Sequence, residues 1–290
     1  MTDGGTASGD KSRELKLRIA SAVVLAPIVL AVTAYGGTPF VSLTVAAGVV
    51  MASEWATIVL GRSWAPLRLG LLALVGVAIA LGAGLVPLGD RPGVVAAVVA
   101  LAGAVALARR EAILAGRPEA LAWAPVGPIY ATLPSLALAA ARTAPQGLWL
   151  VLFLFAVVWA TDIAAFFTGR ALGGPKLWPA VSPKKTWSGA LGGLAAAALA
   201  GVAVAHFAGA PHLGPVFLVG AVLSIASQAG DLFESSLKRH FGVKDSGRII
   251  PGHGGLLDRV DGLVAAAVAA ALVAAVNGGL GAANGGLLVW

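Results

Sequence analysis

The chain has 290 residues, of which 58% are hydrophobic and only 11% charged, with a mean hydropathy of +0.90. Soluble domains carry about a quarter charged residues, so a sizeable soluble domain is excluded. The net charge of +7 and the pI near 10.3 fit basic loops on one side of a membrane better than a nucleic-acid surface, and no nucleic-acid partner is expected. Cysteine is absent, which removes disulfides and thiolate metal sites. The four histidines, His206, His212, His240 and His253, show no HExxH spacing, which argues against zinc.

Taken in order, residues 1–12 are a Gly/Ser/Thr/Asp-rich tail expected to be disordered. The stretch from 13 to 145 reads as the N-terminal transmembrane helices, with spans near 19–35, 39–60, 68–88, 92–108 and 120–141. The first has the basic flank of a signal peptide, but its apolar part is long for one and is read as a retained helix. From 146 to 290 follow spans near 148–168, 189–208, 213–230 and 256–276, in what is expected to be the catalytic region. Turn signals separate several spans: GGTP at 36–39, GDRPG at 89–93 and AGAPHLGP at 208–215. The Ala/Gly-rich stretch around 189–205 suits close packing through small residues. The expected fold is an all-α polytopic membrane protein with about nine transmembrane helices.

Charge asymmetry sets the orientation. With the N-terminus inside, all but two of the 20 basic residues fall on the cytoplasmic side, and only Arg91 and Arg142 remain outside. The N-terminus is therefore expected in the cytoplasm and the C-terminus outside.

The acidic residues are not scattered either. Five of the eight Asp residues, Asp162, Asp231, Asp245, Asp258 and Asp261, lie between 162 and 261, together with Glu234. A carboxylate at membrane depth is costly unless it is paired or bound to a metal. Asp231 and Glu234 are three apart, as are Asp258 and Asp261, a spacing that puts each pair on one helix face. Hard oxygen donors without cysteine favour Mg²⁺ over zinc, and such sites hold phosphates for phosphoryl or nucleotidyl transfer. Buried Asp–Lys/Arg pairs locking helices together are the plainer alternative.

Between the acidic pairs lie Lys238, Arg239, Lys244, Asp245, Arg248 and the segment PGHGG at 251–255. Glycines let a backbone approach phosphates closely, and Lys and Arg supply countercharge. A second cluster upstream comprises Asp162, Arg170, Lys176 and SPKKTWSG at 182–189, where Thr186 and Ser188 are placed to cap the next helix. By itself this is a basic cytoplasmic loop, but it falls on the same side as the first cluster. Glu54, an intramembrane carboxylate, is expected to make a helix-locking hydrogen bond, and the tryptophans are read mostly as interfacial anchors.

The string SLKRHFGVKDSGRIIPGHGGLLDRVD at 236–261 resembles the signature of the phosphatidate cytidylyltransferase (CDP-diacylglycerol synthase) family. SQAGDLFESSLKR, SPKKTWSG and the D-x-x-A-x-F-x-G-R run that starts at Asp162 resemble further family motifs. The specific match covers 159–262, and the first half matches in hydropathy and in the LKLRIASA entry. Two positions depart: Ser188 stands where Glu is usual, and Phe166 where Tyr is usual.

The resemblance implies an integral-membrane enzyme that makes CDP-diacylglycerol and pyrophosphate from CTP and phosphatidate. It implies Mg²⁺, with room for a second cation, organised by Asp231, Asp258 and Asp261, with Glu234 further out. Lys184, Lys185, Lys238, Arg239 and Lys244 would meet phosphates, with Asp162, Arg170 and Ser182 on the nucleotide side. Asp245 would orient Lys244 or join the metal, and His253 would donate to a phosphate or serve the loop. It further implies a homodimer in the bilayer, in a bacterial inner membrane with the site facing the cytoplasm. A transporter of phosphate-bearing ions is the reading from another class. It predicts charge through the membrane depth and on both sides, which the one-sided distribution disfavours. A CTP-using lipid kinase and an ether-lipid cytidylyltransferase are closer rivals.

Overall fold

The computed structural model describes residues 20–21, 23–61, 66–86, 88, 90–250, 252 and 254–277. Among these residues are nine α-helices: α1 (Val23–Tyr35), α2 (Gly37–Leu60), α3 (Pro66–Gly82), α4 (Asp90–Leu114), α5 (Val126–Thr143), α6 (Gly147–Leu172), α7 (Trp187–Phe207), α8 (Leu213–His240) and α9 (Leu257–Val276). Six of them, α2, α4, α6, α7, α8 and α9, are long and apolar enough to cross a membrane. The architecture is that of an all-α polytopic membrane protein.

Side-chain contacts far apart in sequence sort the helix ends. Arg117 Nη1 donates to the Val59 carbonyl at 3.0 Å, and Arg68 Nη2 to Glu111 Oε1 at 2.7 Å. The end of α2, the start of α3 and the end of α4 therefore lie together. At the opposite end, Arg142 donates to the carbonyls of Thr33 (2.7 Å) and Ala34 (2.9 Å), joining the ends of α1 and α5.

Two apolar cores run through the bundle. One gathers α6, α7, α8 and α9 around Phe153, Leu154, Val157 and Leu223. The other gathers α2, α3, α4 and α5 around Trp55, Leu71, Ile79 and Ala104, and also takes in Leu237, Leu257 and Val264 from the second half. Helix α9 belongs to both, so the first five helices and the last four share a core. Trp55 is correspondingly no interfacial anchor: it is buried, and its indole donates to the Trp123 carbonyl at 2.9 Å. Trp159, Trp178 and Trp187 are exposed, as an anchor must be.

Helix α7 lies against α6 through the small-residue stripe the sequence suggests. Gly189, Gly193 and Gly201 recur on one face. A Cβ at 189 would stand 2.7 Å from the Ala165 carbonyl, one at 193 2.7 Å from the Thr161 carbonyl, and one at 201 2.7 Å from the Phe153 ring. The segment before α7 differs from expectation. Instead of a loop, β1 (Lys176–Trp178) and β2 (Ser182–Thr186) form an antiparallel hairpin with Lys176 opposite Thr186 and Trp178 opposite Ser182. Pro179 and Pro183 conceal it in the sequence, because proline normally argues against a strand; a two-stranded ribbon is all edge and tolerates it. Thr186 caps α7 as expected, accepting from Gly189 N at 3.1 Å. Ser188 does not; its hydroxyl donates to the Gly173 carbonyl.

Candidate active site

The ends of α6 and α8 meet the starts of α7 and α9, and the chemistry-bearing residues collect there in two neighbouring regions. The first is a cavity of about 590 Å³ between α6, the hairpin, α7 and α8. Asp162, Arg170, Lys176, Lys184, Lys185 and Asp231 line it, with Thr161 and Gln228 deeper in. Lys185 forms an ion pair with Asp231, and both side chains remain partly exposed. Thr161 donates to the Ser224 hydroxyl at 2.9 Å, and Gln228 to the Ala190 carbonyl at 3.3 Å, tying α6, α7 and α8 into one rigid wall. Gly169 faces Gly189 across the α6–α7 contact; a Cβ at 169 would stand 2.8 Å from the Thr186 hydroxyl, and one at 189 2.7 Å from the Ala165 carbonyl.

The second region is closed. Lys238 on α8 lies 2.6 Å from Glu234 Oε2 and 2.6 Å from Asp258 Oδ1, all three buried or nearly so. Asp258 Oδ2 accepts from Ser246 N, Ser246 Oγ and Gly255 N, each at 2.9 Å. Asp258 thus holds the loop between α8 and α9 against the first turn of α9. A Cβ at Gly254, whose φ is +86°, would come within 2.9 Å of Asp258 Oδ2, so this glycine admits a carboxylate of the protein itself.

Asp261 connects the two regions. Its carboxylate feels repulsion from Asp231, Glu234 and Asp162, and it accepts a hydrogen bond from Gly262 N at 2.8 Å. The close approach of α8 and α9 that brings Asp231 and Asp261 together depends on Gly230, where a Cβ would stand 2.6 Å from the Asp261 carbonyl. Tyr130 on α5 adds a phenol whose buried hydroxyl has no hydrogen-bond partner among the described residues, within electrostatic reach of Asp261, Glu234 and Asp231.

The residues expected from the sequence thus divide. Asp162, Arg170, Lys184, Lys185 and Asp231 meet at the cavity, and Glu234, Lys238 and Asp258 meet in the closed cluster. Ser182 sits at the far end of the hairpin, outside the cavity lining. Arg239, in the last turn of α8, and Lys244 and Asp245, just beyond it, are exposed, and Arg239 donates to the Val243 carbonyl at 3.3 Å. His253 lies outside the described residues. Residues missed by sequence reasoning are Ser246, Thr161, Gln228 and Tyr130. Their hydroxyls and amide follow no spacing rule that separates them from other polar residues in helices.

Among the described residues, no three His, Asp or Glu side chains converge into a ready metal site. The donor chemistry still distinguishes the four expected ligands. Asp258 and Glu234 already have Lys238 as countercharge. Asp231 and Asp261 repel each other and Asp162, with Lys185 and Arg259 as the nearby cations. A concentration of hard, mutually repelling oxygens fits a divalent ion such as Mg²⁺.

Comparison with known proteins gives the same direction. The model of the cytidylyltransferase family matches residues 16–276. The chain is 44% identical over 263 residues, 90% of its length, to proteins named phosphatidate cytidylyltransferase from Brucella suis biovar 1 (strain 1330) and Brucella abortus biovar 1 (strain 9-941); the match covers 94% of each relative. A protein of the same name from Staphylococcus haemolyticus (strain JCSC1435) is 49% identical over 120 residues, 41% of this chain and 46% of the relative. With a match running from the first span through the last described helix, and with Asp, Lys and Arg side chains gathered at one end of the bundle, the chain belongs to the cytidylyltransferase family.

Proposed function

We propose that this enzyme makes CDP-diacylglycerol and pyrophosphate from CTP and phosphatidate. The observation that carries the reading is the cavity lined by Arg170, Lys176, Lys184 and Lys185 beside a group of repelling carboxylates. A site built that way suits two polyanions and a cation, and relatives covering most of the chain bear the name of this activity.

In the reaction, an oxygen of the lipid phosphate attacks the α-phosphorus of CTP. A new P–O–P bond joins the cytidylyl group to the lipid, and the bond from the α-phosphorus to the bridging oxygen breaks to release pyrophosphate. The lipid phosphate is largely ionised near neutral pH, so no strong general base is needed. Lys184, Lys185, Arg170 and Lys176 would bind the triphosphate and stabilise the departing pyrophosphate. Lys185 would exchange its partner Asp231 for a phosphate as the nucleotide enters. Lys238, held between Glu234 and Asp258, would present a fixed positive charge beside the reacting groups. Arg239 and Lys244, exposed at the end of α8, would meet the lipid headgroup, with Asp245 orienting Lys244. Mg²⁺ would be held by Asp231 and Asp261 with Asp258 beside them and Glu234 further out, leaving room for a second cation, and it would supply charge neutralisation on the phosphates. For His253 the proposal is a phosphate contact.

The proposal extends to topology and place. Nine spans, the N-terminus inside and the site on the cytoplasmic face of a bacterial inner membrane are supported by the one-sided basic charge. Residues 146–290 would be the catalytic region, 13–145 its membrane scaffold, and the working unit a homodimer. The deciding experiment is CTP-dependent conversion of phosphatidate in detergent micelles with and without Mg²⁺. Release of pyrophosphate with a CDP-lipid is the expected result. Folded protein that turns over none of several phospholipid phosphates would overturn the reading.

A further inference from the structure

Glu54 lies in the middle of the first half of the chain, outside every motif that pointed to the site. Its side chain on α2 is buried, and the whole residue is 3% exposed. Its carboxylate makes three long-range contacts. Oε1 accepts from Leu256 N at 2.9 Å, and Oε2 accepts from Leu257 N at 2.8 Å and lies 3.2 Å from the Ser246 hydroxyl.

These contacts fill a gap that the local sequence leaves. The first amides of a helix have no intrahelical acceptor and ordinarily take one from a Ser, Thr, Asp or Asn side chain at the cap. Helix α9 has Leu256 at that position, with no side-chain cap. Glu54 supplies the acceptor from another helix, and its negative charge suits the positive end of the α9 dipole. The backbone is shaped to receive it: a Cβ at Gly247 would lie 2.6 Å from Glu54 Oε1, and one at Gly255 2.7 Å from the same oxygen.

Ser246 links this cap to the site. Its hydroxyl lies 3.2 Å from Glu54 Oε2 and 2.9 Å from Asp258 Oδ2, and its amide donates to Asp258 as well. Glu54 and Asp258 therefore grip one loop and one helical turn between them. That turn carries Asp258 and leads directly to Asp261.

We propose that Glu54 is a positioning residue, fixing the first turn of α9 and through it the directions of Asp258 and Asp261. As a role in turnover it rests on the function proposed above; as a structural device it does not.

The test uses full-length protein in detergent micelles, comparing wild type with Glu54→Gln, Glu54→Ala, Ser246→Ala and Glu111→Gln. The last removes a buried carboxylate charge from the Arg68 pair between α3 and α4 and controls for simple destabilisation. Turnover of CTP and phosphatidate is measured alongside amide hydrogen exchange over residues 246–262. Glu54→Gln is expected to lower kcat by about 100-fold, the scale on which small misplacements act. KM for both substrates should change far less, and amides at 255–258 should exchange faster. Ser246→Ala should fall in the same direction, and Glu54→Ala combined with Ser246→Ala should cost little more than Glu54→Ala alone. Glu111→Gln should lower the thermal midpoint while leaving kcat of the folded protein near wild type. Folded Glu54→Gln with near-wild-type kcat, or with unchanged exchange at 255–258, would overturn the proposal. If the Glu54 variants do not fold, Ser246→Ala decides by the same two readouts, since it leaves α2 intact. Wild type that exchanges slowly at 255–258 but turns over neither substrate would sink the proposed function; the exchange comparison then decides Glu54 by itself.

Discussion

Two ion pairs in this molecule have the same chemistry and opposite surroundings. Arg68 and Glu111 join α3 to α4 with side chains only 5% and 7% exposed, and Arg68 donates further to the Gly61 carbonyl at 2.8 Å. Lys185 and Asp231 join the hairpin to α8 with side chains 29% exposed, beside a cavity. The first pair is sealed and has no room to change partners. The second faces the space a phosphate would enter. An ion pair in a membrane protein thus says little by its presence; its access to an open volume separates a lock from an exchangeable countercharge. Lys238 lies between these extremes, 11% exposed and shared by two carboxylates, which suits a fixed charge at the edge of a site.

The sharpest way to break the comparison is at the carboxylates that repel one another. Asp261→Asn should reduce pyrophosphate release by about 1,000-fold or more, since it removes charge on which the cation and both substrates depend. Its thermal midpoint should equal or exceed wild type, because relieving repulsion among buried carboxylates favours the fold. A clear loss of stability would instead make Asp261 structural. Next in size is Lys185→Met, expected to cost about 100-fold in kcat/KM for CTP, as loss of a charge-assisted phosphate contact does. The matching change in the sealed pair, Arg68→Met, should destabilise by about 3–5 kcal/mol by breaking a buried ion pair, with activity of the remaining folded protein preserved. Differential scanning fluorimetry and steady-state kinetics on the same samples separate the two outcomes. Replacing both members, Arg68→Met with Glu111→Leu, should recover most of that loss. Smallest is Lys244→Ala: an exposed cation should raise KM for phosphatidate by about threefold to tenfold, and the difference should shrink in high salt.

How much of this was legible beforehand follows from how far each interaction reaches. Spans are local averages of hydropathy, so the helices lie close to where composition puts them, and the caps at Thr186 and the glycine stripe of α7 follow from spacings of three and four. The clustering of Asp231, Lys238, Asp258 and Asp261 was visible because they are near in sequence and costly in a membrane. The partner of each was not. Lys238 divides itself between an i−4 neighbour and Asp258, and nothing in the spacing says that Asp231 should take Lys185 instead. The glycines of PGHGG suggest room for phosphate, and the structure adds that Gly254 admits the carboxylate of Asp258 and Gly255 that of Glu54. The hairpin was hidden by its prolines, and Glu54 by its distance from everything it touches.

That distance has a consequence for how the protein is made. Glu54 is synthesised 192 residues before Ser246 and 202 and 203 residues before Leu256 and Leu257. At elongation rates of about 5–20 residues per second this is a wait of about 10–40 s, during which α2 can be in the bilayer without its acceptor-starved partner. For that interval the nascent chain carries an intramembrane carboxylate that is hydrated or protonated rather than bonded. Helix α9, the last of the described helices, is the one that resolves it. Chains interrupted before residue 257 keep an unsettled charge in their second helix, a physical mark by which an unfinished product differs from a finished one.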